Sequence, residues 1–177
     1  MQRLGKILGF AALLALLLSS CRDPVQFPTI PAVEYKSFEI LADTAFLTFD
    51  MTDGDGNFGL DEEDTLGDFE FNAVPFNKFH YCIFIDPYKF VNNEWVLIDK
   101  RPNAANPDAI PLYYRVERLD PSGSDKNLEA EIRIDFPPPV WPLPECELGD
   151  TIKFQIQIAD RELQESNVAE SPAFIIQ

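Results

Sequence analysis

The sequence predicts an all-β protein, a single antiparallel β-sandwich over residues 33–177, with a small β-barrel as the alternative. Three observations lead there. No segment after residue 32 keeps a helical apolar period for three turns. Apolar and polar residues instead alternate at period two, in short runs punctuated by Gly, Pro, Asn and Asp. Finally, 46% of the residues are hydrophobic and 12% aromatic, enough to fill the space between two sheets.

The strands follow from this pattern in order. Residues 33–40 and 45–51 read as the first two. Residues 78–85 and 94–98 read as a hairpin, with Asp86-Pro87 and Asn92-Asn93 supplying turn chemistry. The former has apolar residues on both faces and should be central. Residues 112–116 form another strand, closed by Asp120-Pro121-Ser122-Gly123. Over 128–136, Leu128, Ala130, Ile132, Ile134 and Phe136 alternate with charged residues. Over 152–158, Ile152, Phe154, Ile156 and Ile158 alternate with Lys153, Gln155 and Gln157. Each has one buried and one wet face, as an antiparallel sheet requires. Residues 173–176 close the series. The stretch GDTIKFQIQIADRELQESNVAESPAFII resembles the last two strands of fibronectin type III and related immunoglobulin-like domains. That resemblance implies a long strand, a polar loop and a closing edge strand.

Ahead of the domain lies a leader. Arg3 and Lys6 form a basic start, and residues 7–18 are apolar throughout. As a helix those twelve residues rise about 18 Å, short of the ~30 Å hydrocarbon core, so they read as a signal peptide over 1–20 rather than a membrane span. The leader ends in Leu18-Ser19-Ser20-Cys21, which resembles the lipobox of bacterial lipoproteins. The resemblance implies acylation of the Cys21 thiol, cleavage before it, and acylation of the new amino group. Several acyl chains give stable attachment at roughly 0.8 kcal/mol per buried CH2. Arg22 follows the cysteine. In lipoproteins resembling this one, a residue other than Asp there favours the outer membrane, with the periplasmic or surface face left open. Residues 21–32, with Pro24, Pro28 and Pro31, read as the lipidated start and an extended tether.

Charge narrows the partners. Removing the leader leaves 12 of the 14 basic residues and all 30 acidic ones. Such a surface repels phosphate backbones, which argues against nucleic-acid binding, and repels anionic headgroups, so membrane attachment falls to the lipid on Cys21. It attracts divalent cations.

One dense constellation could hold such a cation. Asp53, Asp55, Asn57 and Asp61 are spaced by two, two and four, among Gly54, Gly56 and Gly59. Alternate residues of a tight loop can turn oxygens to one centre, and oxygen donors without His or Cys favour Ca2+. Counting Asp53 as the first position of an EF-hand loop puts the Gly59 carbonyl seventh, Asp61 ninth and Asp64 twelfth. Phe58 stands where an EF-hand has Gly, and no amphipathic helices flank the loop. The expectation is a calcium loop mounted on strands, joining the second and third. In a sandwich of this kind Asp160, with Glu162 or Glu165 as further candidates, comes to the same end and completes the ligand set. That end, with its loops, is the natural contact surface. The DGDGxxGL motif after a strand, the lipobox and the β-rich body together resemble envelope lipoproteins of the Bacteroidota, a resemblance that brings no activity with it.

Other features are weaker. Export allows Cys82 and Cys146 to pair. His80 lies in an apolar stretch with no nucleophile pattern, and no Gly-x-Ser-x-Gly elbow occurs, so no catalytic residue is assigned. Trp141, in a proline-rich connection, either covers a sheet edge or offers a ligand platform. The functional expectation is a non-enzymatic, lipid-anchored module binding an envelope protein or glycan. A carbohydrate-acting hydrolase and a structural spacer are the alternatives.

Overall fold

A computed structural model describes residues 26–119 and 126–176. The leader over 1–20 and the lipidation residue Cys21 lie outside the described residues. Within them the protein is all-β. The strands are β1 (Ala32–Leu41), β2 (Thr44–Asp53), β3 (Ile83–Val91), β4 (Glu94–Leu97), β5 (Tyr113–Tyr114), β6 (Leu128–Phe136), β7 (Thr151–Ile158), β8 (Ala169–Glu170) and β9 (Phe174–Ile175). They form two antiparallel sheets, one ordered β1-β2-β6, the other β4-β3-β7-β8 with β5 also on β3 and β9 also on β7. Among the described residues no ladder joins the sheets, so the barrel alternative does not form. The order is that of an immunoglobulin-like sandwich, with β1, β2 and β6 facing β3, β7 and the closing strands.

Period-two alternation builds the core. On β2, Ala45, Leu47, Phe49 and Met51 face inward and are fully buried. On β7, Ile152, Phe154, Ile156 and Ile158 do the same from the opposite sheet. Phe49 sits across from Tyr35 of β1 and Ile132 of β6, and Phe154 contacts Phe38, Phe136 and Phe174. Trp141 is buried and meets Phe38 edge-on, so it serves packing rather than ligand display. A smaller apolar cluster sits on the outer face of β3, where Phe84 and Tyr113 are covered by Phe76, Phe79 and Tyr81 of the β2–β3 loop. At the end of the sandwich where β7 begins, Ile40, Ala42, Pro138, Trp141, Leu148 and Ile176 line a recess of about 310 Å3.

Three expectations change. Residues 78–80 form a 3-10 turn whose start is capped by Asn77, which accepts from the Phe79 N–H, and the strand begins only at Ile83. It then runs straight through Asp86-Pro87. Pro87 is tolerated because its position lies where β5 has ended and β4 is beginning, and its carbonyl still accepts from the Ile98 N–H. Strand β3 is nonetheless central, flanked by β7 and by β4 and β5. The second change concerns Cys82 and Cys146, which are both free. Cys82 sits beside Ala159 at the start of β3, whereas Cys146 neighbours Lys89 near its end. The intervening strand spans about 20 Å, far beyond the roughly 4–7 Å between disulfide-linked Cα atoms. The third concerns the described part of the expected tether. It lies on the domain rather than clear of it, with Pro31 buried and Val33 bonded through both backbone groups to the Asn167 amide at 3.0 and 2.9 Å.

Two outcomes check this architecture. Replacing Phe49 with Ala should cost about 3–5 kcal/mol in urea unfolding, and a loss under ~1 kcal/mol would contradict its place in the core. Burial pushes the Cys82 thiol up to about 11. Native alkylation at pH 8 should therefore modify Cys146 before Cys82, and reductant should leave the melting temperature unchanged.

Candidate metal centre

Two strands from facing sheets end alike. The inward face of β2 runs Ala45, Leu47, Phe49, Met51 and then Asp53, so its alternation carries a carboxylate onto the buried face. The inward face of β7 runs through Ile158, and two residues later comes Asp160. Asp53 is wholly buried and Asp160 is 2% exposed. Such carboxylates are costly unless something satisfies them.

Local turns satisfy half of each. The Asn57 N–H donates to Asp53 Oδ2 at 3.0 Å. The N–H groups of Glu162 and Gln164 both donate to Asp160 Oδ1 at 2.8 Å. What remains is a set of four buried side-chain oxygens without a hydrogen-bond partner: Asp53 Oδ1, Asp55 Oδ1, Asn57 Oδ1 and Asp160 Oδ2. Leaving one such atom unpaired costs about 1–3 kcal/mol, and more if it is charged. Asp53 is raised to about 6, by burial first, then by the neighbouring Asp55 carboxylate, with repulsion from Asp160 adding to it. Asp160 is raised by burial, with Asp55 contributing. These mutual effects place the three carboxylates within each other's field. As they stand, no three His, Cys, Asp or Glu side chains among the described residues are gathered tightly enough to hold a metal ion. Like charges this near hold one another apart unless a cation offsets them.

The loop backbone turns tightly here. Gly56 and Gly59 adopt left-handed conformations, with φ of 64° and 95°. A side chain at Gly59 would strike the backbone of Glu117 and Arg118. Phe58 and Leu60 are buried in the core, which explains an apolar residue where an EF-hand has Gly. The Leu60 N–H donates to Val116 and the Leu119 N–H to Phe58.

The second half of the loop behaves differently from expectation. Asp61 and Asp64 turn to arginines and not to the four oxygens. Arg161 Nη1 bonds to Asp64 Oδ2 and lies 3.2 Å from Asp61 Oδ2, while Arg118 is 3.7 Å from Asp61. Burial raises Asp64, but Arg161 and the Asp61 N–H outweigh it and hold the carboxyl below its ordinary value. Arg115 donates to the carbonyls of Asp61, Asp64 and His80 at 3.0, 3.1 and 2.7 Å. Glu162 takes a hydrogen bond from Gln164, and Glu165 pairs with Lys78, so neither joins the cluster. His80 is held by its Nδ1 against the Phe69 carbonyl at 2.9 Å, a structural role. Sequence reasoning missed the three arginines. The available sign was Arg161 directly beside Asp160 in a chain poor in cations.

No known protein family, curated protein or solved structure matches this chain. The residues at the strand ends therefore carry the functional reading.

The raised Asp53 gives a signed pH dependence. Its folded value of about 6 lies above its ordinary 3.8, so the folded state binds the proton more tightly. Without divalent cations the protein should gain stability as pH falls from 7.5 toward 5, by on the order of 1 kcal/mol at pH 5, the full ~3 kcal/mol being reached only below about pH 4. Carboxylates held low, such as Asp64, lose their contribution only below that window. Melting temperatures at pH 7.5 and 5.0 test this, and Asp53→Asn should flatten the difference.

Proposed function

We propose that this chain is a lipid-anchored binding or accessory module of the cell envelope, without catalysis of its own, whose sandwich is pinned at one end by a structural calcium ion. The observation that supports this most is the quartet of buried, unpartnered oxygens from Asp53, Asp55, Asn57 and Asp160. They come from the end of β2 with the loop that follows it and from the turn after β7, so one ion would tie the two sheets together at their common end. The donors are all hard oxygens, which suits calcium, and calcium accepts the remaining ligands from carbonyls or water in a flexible shell of six to eight. Mg2+ demands a stricter octahedron and keeps its waters, a poor match for enclosed donors. The enclosure also fits an ion that holds structure over one that presents an open position to a substrate. The anchor reading rests on the leader and Leu18-Ser19-Ser20-Cys21. The partner class is an envelope protein or glycan.

Calcium at a few millimolar should raise the melting temperature by roughly 4–8 °C over chelated protein, for a dissociation constant near ~10−4 M. The double change Asp53→Asn and Asp160→Asn should abolish that shift. Asp61→Asn and Asp64→Asn should keep it, because those side chains serve the arginines. An unchanged melting temperature would end the calcium reading. For the anchor, mass spectrometry of the membrane fraction should find acyl mass on Cys21, and Cys21→Ser should release the protein from the membrane.

A further inference from the structure

We propose that calcium at this centre clasps the N-terminal segment onto the domain, so that the strap over residues 27–30 is held at the metal end when the ion is bound and let go when it is removed. The inference rests on the calcium reading above and adds a consequence for the chain beside the site.

Gly54 lies between two of the four oxygen-bearing residues, Asp53 and Asp55. Its N–H donates to the Pro28 carbonyl at 2.8 Å. A side chain at this position would overlap the Phe27 carbonyl, so the strap crosses the loop in direct contact with bare backbone. One residue upstream of that bond, the Phe27 N–H donates to Asn127 Oδ1 at 2.8 Å, just before β6. Among the described residues these are the strap's two hydrogen bonds. Pro28, Thr29 and Ile30 are exposed, and Phe27 is half-buried. Its attachment thus depends on where the Gly54 peptide points. A shift of about 1 Å would lengthen that hydrogen bond past a useful distance. The Gly54 peptide in turn depends on whether Asp53 and Asp55 are drawn together by a cation or pushed apart by their charge. The hinge is marked as well. From Pro31 onward the chain is fixed by burial and by the paired bonds between Val33 and Asn167, which involve no residue of the cation cluster.

Hydrogen exchange on the mature chain, in 2 mM CaCl2 and after metal stripping, tests the coupling. The amides of Phe27 and Gly54 should exchange at least about tenfold faster without calcium, while Val33 stays equally protected. By reciprocity, loosening the strap should weaken the ion. Asn127→Ala, which removes the Phe27 acceptor, should raise the calcium dissociation constant about three- to tenfold by calorimetric titration. Gly54→Ala should leave Phe27 unprotected even with calcium present. If calcium raises the melting temperature but Phe27 and Gly54 exchange alike in both conditions, the clasp is overturned and the calcium site stands. If calcium moves neither quantity, both readings fall together.

Discussion

The fold is organised around an electrostatic demand placed inside it. Two strands that bury alternate residues continue that alternation one position too far for comfort, and each delivers a carboxylate, Asp53 or Asp160, to the closed end of the sandwich. Hydrophobic burial fixes where those groups go, because moving either strand by one residue would turn its whole apolar face to water. The charge cannot be relieved by slipping the register. It has to be met where it stands, and two local turns meet half of it.

The β2–β3 loop answers with two kinds of compensation in one stretch. Its first part leaves side-chain oxygens of Asp53, Asp55 and Asn57 buried without a hydrogen-bond partner. Its second part, Asp61 to Asp64, is neutralised from within the protein by Arg161 and Arg118, and its backbone is held by Arg115. Arg161 follows Asp160 in the chain, so one short turn after β7 supplies both a carboxylate to the first part and a guanidinium to the second. Phe58 and Leu60 anchor the boundary between them in the core. This division explains how a run so dense in acidic residues can be ordered at all.

Much of this was legible in the residues. Strands β2, β6 and β7 follow their alternation to within a residue or two, because each has one face in the core and one in water. The start of β3 was obscured by two effects. Apolar residues at 79 and 81–85 cover both faces, so periodicity could not separate the 3-10 turn from the strand, and Pro87 reads as a turn unless the gap between β5 and β4 is known. The short closing strands β8 and β9 make only two paired positions each, too few for any pattern. In the loop, spacing identified Asp53, Asp55 and Asn57 as a set, and sandwich topology brought in Asp160. Spacing alone could not show that Asp61 and Asp64 would be taken by arginines from distant segments, since that depends on tertiary neighbours.

The crossing of Phe27 over Gly54 also gives the domain a polarity. Only five residues separate Phe27 from Cys21, a reach of at most about 21 Å even fully extended. A lipid on that cysteine would therefore root the molecule by its acidic end and raise the opposite end outward. The loops expected to greet a partner would then face the bilayer. The surface offered to the surroundings would be the far tip, where Leu41 and Leu148 stand 71% and 80% exposed beside the recess under Trp141.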